Sequence, residues 1–325
     1  MENPLELSDH ELDRIVEEKY STLFRPGYIK IENCTLPKNY SEMKTVIDEL
    51  EISDTDIVVA GFPRSGTTWL SELVWLISHE LDYENATKHV FERVPLLDLC
   101  FTFDRNNIPR HIEIAEILNN PIGRFKSLPN PRCVRTHLPF QLLPKEIQNG
   151  EKKPKIIYIA RNPLDVCVSF YHLSTTLYFI GNMDEFCKLF LSGRVNYGPY
   201  FTHVLTYWKL RDQTNVLFLK YEDMKKDTGE AIQQVAAFLG KRMSDEEKAT
   251  LQKHLSFDSL KNNAAVNTNF GESFKVPRPL APVIRCGKIG GYKGQLPHHY
   301  NSKPLTPEAA TSVATAPTEQ IRLKM

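Results

Sequence analysis

The sequence predicts an α/β fold: a single domain with a central, mostly parallel sheet flanked by helices. Four apolar runs have the length of buried strands, and stretches with helical spacing accompany most of them. Strands of a parallel sheet are continuously apolar because helices cover both faces of the sheet. A glycine loop between the first apolar run and the following helix adds a P-loop-like anion site to this fold.

The predicted strands and helices follow from local patterns. The strands lie at residues 56–62, 132–138, 155–161 and 215–223. The helices lie at residues 67–81, 163–179, 198–213, 228–240 and 244–257. Pro163 suits an early helical position, and Gly240 suits the end of a helix. Ser244 with Glu247 three residues later is a capping-box pattern, which marks a helix start.

The composition is typical of a globular protein without an overall charge. The chain has 325 residues, 41% of them hydrophobic, with 40 basic and 40 acidic side chains. Because the charges balance, no global field favours nucleic acid or an anionic membrane, and any anion site must be local. The N-terminus has no signal-peptide pattern, and no apolar run reaches the ~18 residues of a membrane span. We therefore expect a cytoplasmic protein with no nucleic-acid or membrane partner.

The composition changes near Lys293. Residues 295–325 are rich in proline, threonine and alanine and have little apolar periodicity, so we expect an atypical, poorly packed tail. Residues 1–294 form the predicted domain. Six cysteines without metal-binding spacing predict free thiols.

The stretch GFPRSGTTWL, which begins at Gly61, differs from a P-loop in one position. A P-loop reads G-x-x-x-x-G-K-[ST], with the lysine on the phosphates and the last hydroxyl on magnesium. Gly61 and Gly66 keep the spacing, and Thr68 keeps the hydroxyl. Thr67 replaces the lysine, and Arg64 is the cation of the loop. This argues against ordinary ATP or GTP hydrolysis, where lysine and magnesium neutralise the transferred phosphoryl group. A sulfonyl group carries less charge and needs less neutralisation.

Five motifs together resemble one family. FPRSGTTWL, VRTHLP, IYIARNPLDVCVSFYH, FLKYEDM and RCGKIGGYKG, in this order, are similar to the cytosolic sulfotransferases, which use 3′-phosphoadenosine-5′-phosphosulfate (PAPS). The resemblance runs from about Tyr28 to Lys293 and is closest to the insect members, a group that includes a retinol dehydratase. It implies in-line transfer of a sulfonyl group to the hydroxyl of a small, largely apolar acceptor such as a phenol, sterol or retinoid. The product PAP would be released, and no metal would be required.

The resemblance also implies which residues bind the cofactor. The loop would hold the 5′-phosphosulfate, and the tryptophan after it would stack on adenine: Arg64, Ser65, Gly66, Thr67, Thr68 and Trp69. A second set would bind the 3′-phosphate and the adenosine: Arg161, Ser169, Tyr221, Ser256, Phe257, Arg285, Cys286 and Gly287. Cys286 stands where the family usually has lysine, which weakens the expected 3′-phosphate clamp.

Two residues are expected to be catalytic. His137, at the end of a predicted strand, matches the base of the family, and a histidine near neutral pKa can accept a hydroxyl proton. Arg64 replaces the usual lysine and would donate hydrogen bonds and charge to the leaving oxygen. The acceptor pocket is predicted at Pro63, Leu96, Leu99, Arg135, His137 and Leu173.

Three alternatives stay open at the sequence level. One is a dehydratase that acts through a transient sulfate ester, and another is a nucleotide-binding protein without turnover, because of Cys286 and the altered tail. A kinase is a weaker alternative, which would depend on ATP and magnesium. The usual dimerisation segment of the family is not found in the last thirty or so residues, so the oligomeric state is open.

Overall fold

The computed structural model describes residues 8–21, 27–103, 120–267 and 284–301. Within these ranges the chain forms one four-stranded parallel sheet and one antiparallel hairpin. The strands are β1 (Tyr28–Ile31), β2 (Cys34–Pro37), β3 (Ile57–Ala60), β4 (Cys133–Thr136), β5 (Lys155–Ala160) and β6 (Val216–Lys220). The large sheet has the order β4-β3-β5-β6, and β1 pairs with β2.

Helices surround this sheet. The first three helices are α1 (Asp9–Ile15), which a π-helical segment (Val16–Tyr20) continues, α2 (Tyr40–Asp48) and α3 (Thr67–Ser78). The next five are α4 (Val90–Arg93), α5 (Leu99–Thr102), α6 (Pro121–Ser127), α7 (Lys145–Gln148) and α8 (Pro163–Leu177). The following four are α9 (Met183–Leu191), α10 (Tyr200–Trp208), α11 (Tyr221–Lys226) and α12 (Thr228–Phe238). The last three are α13 (Asp245–His254), α14 (Phe257–Asn262) and α15 (His298–Asn301). Short 3-10 turns lie at Asn85–Thr87 and Phe140–Leu142.

The predicted fold class is confirmed. All four predicted strands form, and they pair in parallel with β3 and β5 at the centre of the sheet. All four are shorter than predicted. The fourth is shortened most, because its pairing ends where Ala160 faces Lys220 and Tyr221 begins α11. The capping box is also confirmed: Ser244 Oγ accepts from the Glu247 amide at 3.2 Å, and the Glu247 carboxylate accepts from the Ser244 amide at 2.7 Å.

The sheet has a separate hydrophobic cluster on each face. Along β5 the side chains alternate: Ile156 and Tyr158 lie in one cluster, and Ile157 and Ile159 lie in the other. These side chains are almost fully buried, and burial of each large apolar side chain contributes about 1.5–3 kcal/mol. The helices α8 to α10 pack on one face, and α3 and α12 pack on the other. The sheet is thus held rigidly, with its carboxyl edge left for the loops.

The predicted tail packs more closely than expected over its first residues. Leu296 and Tyr300 are 5% and 4% exposed and belong to the core cluster on the α8 face. Gln295 also contacts the core helix α8, since its Oε1 lies 2.9 Å from His172 Nε2. The prediction of poor packing is therefore wrong for residues 295–301. Two buried apolar side chains, Leu296 and Tyr300, pack this segment on the core although its sequence has little apolar periodicity. Residues 302–325 lie outside the described residues, and the domain boundary after Gly294 stays a prediction.

Two simpler expectations concern thiols and membranes. All six cysteines carry free thiols, as predicted. In the part of the chain that the structure describes, no helix has the length and hydropathy that a membrane crossing requires.

Candidate active site

The glycine loop lies between β3 and α3, at the carboxyl edge of the sheet. Gly66 has a φ of +106°, and a Cβ there would lie 2.8 Å from the Tyr221 ring. A Cβ at Gly61 would lie 2.8 Å from the carbonyl oxygen of Ile159 on the neighbouring strand. Both positions therefore require glycine, for close approach and, at Gly66, for backbone conformation. The loop leads directly into Thr67, the first residue of α3, so the helix N-terminus adds a favourable field for an anion.

Parallel strands end at the same edge of the sheet, and ligands bind outside that edge. His137 follows β4, Arg161 follows β5, and Tyr221 follows β6. Together with the loop they surround one cavity of about 230 Å³. The cavity brings together most of the predicted site residues: Pro63, Arg64, Gly66, Thr67, Thr68, Trp69, Leu96, Leu99, Arg135, His137, Arg161, Ser169, Leu173, Tyr221, Phe257, Arg285, Cys286 and Gly287.

Two predicted cofactor residues are not part of the cavity lining. Ser65 is fully buried in the loop, where its amide donates to the Phe62 carbonyl at 3.1 Å. Ser256 is the N-cap of α14, and its Oγ accepts from the Ser259 amide at 3.3 Å. Ser256 thus fixes the start of the helix whose first residue, Phe257, does line the cavity.

One part of the cavity, the phosphate half, is rich in cations. We define it by Arg64, Thr67, Thr68, Trp69, Arg161, Ser169, Tyr221, Phe257, Arg285, Cys286 and Gly287. Lys225 and Lys288 also line it, and sequence reasoning missed both. Burial and the nearby Arg161 and Arg285 lower the pKa of Arg64 to about 10, so Arg64 is still charged at neutral pH. A concentration of positive charge at a helix N-terminus favours a multiply charged anion.

Hydrogen bonds orient the arginines of this half. Arg64 Nε donates to Ser169 Oγ at 3.0 Å, which links the loop to α8. Arg161 donates through Nη1 to the Arg64 carbonyl and through Nη2 to the Lys288 carbonyl, both at 3.2 Å. The Arg161 guanidinium also lies 4.3 Å from the centre of the Tyr221 ring. These contacts hold Arg161 between the loop, β6 and the 284–294 segment.

The loop that carries Arg285 is anchored by a buried acid. The carboxylate of Asp165 accepts from the amides of Gly290 and Tyr292 at 2.8 and 3.0 Å. Gly287 has a φ of +60°, and a Cβ there would lie 2.4 Å from the Phe257 ring. The segment is therefore packed closely onto α8 and α14, and this holds the Arg285 and Cys286 backbone at the edge of the cavity.

His137 is held in one tautomer. Its Nδ1 lies 2.6 Å from the carbonyl oxygen of Gly61. Since a carbonyl can only accept, Nδ1 must carry the proton and Nε2 keeps its lone pair. Burial lowers the pKa of His137 to about 3, with Arg135 and His203 adding to the effect and the Gly61 hydrogen bond opposing it. The imidazole is therefore neutral at physiological pH.

Arg135 faces the loop as well as the neighbouring wall. Its Nη1 donates to Thr68 Oγ1 at 2.9 Å, and its guanidinium lies 4.7 Å from the centre of the Phe91 ring. Burial lowers the pKa of Arg135 to about 10. The side chain was predicted to bind the acceptor, and this hydrogen bond joins it to Thr68, which was predicted to bind the cofactor.

The other part of the cavity, the apolar half, contains the predicted leucines and several aromatic rings. We define it by Phe91, Leu96, Leu99, Phe103, Leu173 and Tyr197. The three aromatic residues were not predicted, because Phe91, Phe103 and Tyr197 are separated in sequence and follow no motif. Lys225 could have been found, since it lies four residues after Tyr221 on α11 and so on the same helix face.

Comparisons with known proteins identify the family. A model of the sulfotransferase domain matches residues 54–303. The chain belongs to the sulfotransferase family. This sulfotransferase is 39% identical to luciferin sulfotransferase of Photinus pyralis, over 88% of this chain and 80% of that protein. It is 33% identical to sulfotransferase 1E1 of Bos taurus, over 86% of this chain and 91% of that protein. The predicted family and the assignment as a sulfate-transferring enzyme are confirmed.

Solved structures show the same fold. Retinol dehydratase in complex with androsterone and the inactive cofactor PAP superimposes with a TM-score of 0.81 at 30% identity, covering 90% of this sulfotransferase and 91% of that chain. Mouse sulfotransferase SULT7A1 complexed with PAP gives a TM-score of 0.62 at 27% identity, covering 90% and 91%.

Proposed function

We propose that this sulfotransferase transfers a sulfonyl group from PAPS to the hydroxyl of a small, largely apolar acceptor and releases PAP. The observation that carries the proposal is the junction of two unlike surfaces in one cavity. A cation-rich half formed around a glycine loop meets an apolar half, with the neutral imidazole of His137 in the same cavity. The similarity to retinol dehydratase, whose structure holds PAP, supports the same cofactor here.

The residues present fit PAPS. Four buried polar atoms of cavity-lining residues have no hydrogen-bond partner among the described residues: Trp69 Nε1 and the Nε atoms of Arg135, Arg161 and Arg285. A buried polar group without a partner costs about 1–3 kcal/mol, so these atoms favour a polar ligand. When bound, PAPS would supply the sulfonyl group, with PAP as the leaving group.

Different residues of the phosphate half would bind the 5′-phosphosulfate and the 3′-phosphate of the nucleotide. The loop amides, Thr67 and Thr68 would hold the 5′-phosphosulfate at the N-terminus of α3. Arg161, Ser169 and Arg285 would hold the 3′-phosphate, since a guanidinium matches a dianionic phosphate. Trp69, Tyr221 and Phe257 would contact the adenosine. Arg64 keeps a positive charge at the leaving oxygen, where negative charge develops.

His137 would act as the general base through Nε2. The Gly61 carbonyl fixes the tautomer, so the lone pair needed to accept the hydroxyl proton is present at neutral pH. A pKa of about 3 makes a weak base, but the negative charge of a bound phosphosulfate would stabilise the imidazolium and raise it. Binding of the donor would thus activate the base.

The apolar half supports an apolar acceptor. Its defining residues carry aliphatic and aromatic side chains and no charged group. Such a surface favours phenols, sterols or retinoids over charged acceptors, because burying an unpaired charge is costly. Pro63, Leu96, Leu99 and Leu173 would contact the apolar body of the acceptor.

Transfer of radiolabelled sulfate from PAPS to a panel of phenols, sterols and terpenoid alcohols tests this function. We expect labelled ester with at least one acceptor, and we expect the rate to survive a metal chelator. Binding of PAP without transfer to any acceptor would instead support the nucleotide-binding alternative. Loss of all activity in the chelator would contradict a metal-free reaction, and phosphoryl transfer from ATP would indicate a kinase.

A second candidate is dehydration of an allylic alcohol through a transient sulfate ester. The structural similarity to retinol dehydratase, at a TM-score of 0.81, favours this candidate. Mass spectrometry of the product with retinol separates the two reactions, since one leaves a sulfate ester and the other a dehydrated hydrocarbon.

A further inference from the structure

The backbone of His137 is held from two sides. The Asp98 carboxylate accepts from the His137 amide, with distances of 3.1 and 3.0 Å to its two oxygens. On the other side, His203 Nε2 lies 2.8 Å from the His137 carbonyl oxygen, to which it donates. Asp98 and His203 are both almost completely buried and do not line the cavity.

Asp98 is itself placed by the edge of the sheet. The Leu97 amide donates to the Arg135 carbonyl, and the Arg135 amide donates to the Pro95 carbonyl, both at 2.8 Å. Residues 95–97 therefore run parallel to β4 and bring Asp98 beside the residue that follows the strand. The same segment carries Leu96 of the apolar half, so the hydrogen bonds between residues 95–97 and Arg135 position both Leu96 and the proposed base.

Two hydroxyl groups complete the surroundings of the carboxylate. Thr136 and Tyr197 both donate to Asp98 through their side chains. The ring of Tyr197 also packs against the His137 ring, with centroids 5.5 Å apart. Tyr197 has a φ of +66°, a conformation that non-glycine residues rarely adopt. Strain of this kind persists where the surrounding structure requires it, often at functional sites.

We propose that Asp98 is a positioning residue for the base. It fixes the backbone of His137 relative to the apolar half of the cavity, and together with Tyr197 it fixes the plane of the imidazole ring. The inference rests on the proposed role of His137. Burial raises the pKa of Asp98 to about 6, with the hydrogen bonds from His137, Thr136 and Tyr197 opposing the rise. A buried carboxylate is an expensive way to stabilise a core, and an apolar side chain would serve as well. Its hydrogen-bond partners instead all lie at or beside the base.

The substitution Asp98→Asn tests this role, with Asp56→Asn as the matched control. Asp56 is equally buried, but its carboxylate pairs with Arg132 at 2.6 Å, at the opposite end of β3. We expect Asp98→Asn to lower kcat about 10-fold or more, because a 1 Å misplacement of a catalytic group can cost about 10²-fold. The dissociation constant for PAP should stay within about twofold, since Asp98 does not line the cavity. Asp56→Asn should lower the melting temperature and leave kcat unchanged.

A second variant and a spectroscopic readout apply if Asp98→Asn does not fold. Tyr197→Phe keeps the ring against His137 and removes only the hydroxyl that donates to Asp98, so we expect a severalfold lower kcat with unchanged PAP affinity. Nitrogen-15 NMR of the histidines needs no acceptor: His137 should show a single tautomer protonated at Nδ1 in the wild type and a mixture in either variant. A wild-type kcat and tautomer in these variants would overturn the proposal, whereas full activity in His137→Ala would overturn the base itself.

Discussion

The two halves of the cavity are formed in different ways. The phosphate half comes mainly from one continuous loop, the ends of neighbouring strands and a short segment around Arg285, and most of its residues lie in motifs. The apolar half collects side chains from α4, from α5 and the residues on either side of it, from α8 and from the turn before α10, which share no motif. Binding a phosphate requires particular donors at fixed positions, whereas binding an apolar body requires only area and shape. Most of the first half was therefore predicted from the sequence, whereas in the second half only the three leucines were predicted and the three aromatic residues were not.

The largest expected effect lies where the halves meet. His137→Ala should lower kcat by about 10²- to 10⁴-fold, the range for removing a general base. The affinity for PAP should change little, because the phosphate half stays intact. Steady-state kinetics with the best acceptor and calorimetric titration with PAP measure the two quantities. A near wild-type kcat would remove His137 from the mechanism.

Within the phosphate half, Arg64 should act through its charge. Arg64→Ala should lower kcat by about 10²-fold, because a donor to the developing negative charge is lost. Arg64→Lys should keep substantial activity, although it loses the Nε hydrogen bond to Ser169. Single-turnover transfer from PAPS compares the two variants directly. Equal rates for them would show that a cation is not required at this position.

A smaller effect is expected at Cys286, where the phosphate half lacks a cation. Cys286 is half-buried and lines the cavity beside Arg285. Cys286→Lys should tighten PAP binding about tenfold, since a hydrogen bond to a charged group contributes about 1.5 kcal/mol at the low end. The gain should shrink as salt increases, because exposed charges are screened.

The control for this prediction is Cys286→Met, which changes size without adding charge. Calorimetric titration with PAP at two salt concentrations compares the variants. An unchanged or weaker affinity in Cys286→Lys would show that this side chain does not reach the 3′-phosphate.

The smallest expected effect concerns His203, the buried residue that donates a hydrogen bond to the His137 carbonyl. Burial lowers the pKa of His203 to about 4, below the unfolded value near 6.5. The depressed pKa means that the unfolded chain binds the proton more readily, so the stability contributed by neutral His203 is present above pH 6.5 and is lost progressively as pH falls towards 4. Between pH 7 and 5.5 this loss is about 1 kcal/mol.

Urea denaturation at pH 7 and pH 5.5 measures this loss. Between pH 7 and pH 5.5 the free energy of unfolding should decrease in both proteins. The decrease should be about 1 kcal/mol smaller in His203→Gln than in the wild type, because the variant lacks this titrating group. Equal decreases in both proteins would show that His203 is not the group responsible.

The sequence by itself determined the fold class, the four strands and the glycine loop, whereas the cofactor residues remain predictions from the family resemblance. The first three depend on neighbours in the chain: apolar runs, glycine at Gly61 and Gly66, and helical spacing after Thr67. The sequence also showed that Arg64 and Cys286 differ from the lysine usual in the family, because the motif defines which position carries the cation.

Only the tertiary structure decided how His137, the proposed base, is held and which side chains of the C-terminal segment cover the core. Asp98 and His203 are 39 and 66 residues from His137, yet both hydrogen-bond its backbone. Leu296 and Tyr300 are buried although their segment has no apolar periodicity. The physical reason is the same in each case. A buried polar contact or a core anchor is specified by which surfaces meet after folding, and single residues far apart in the chain leave no periodic signal of that meeting.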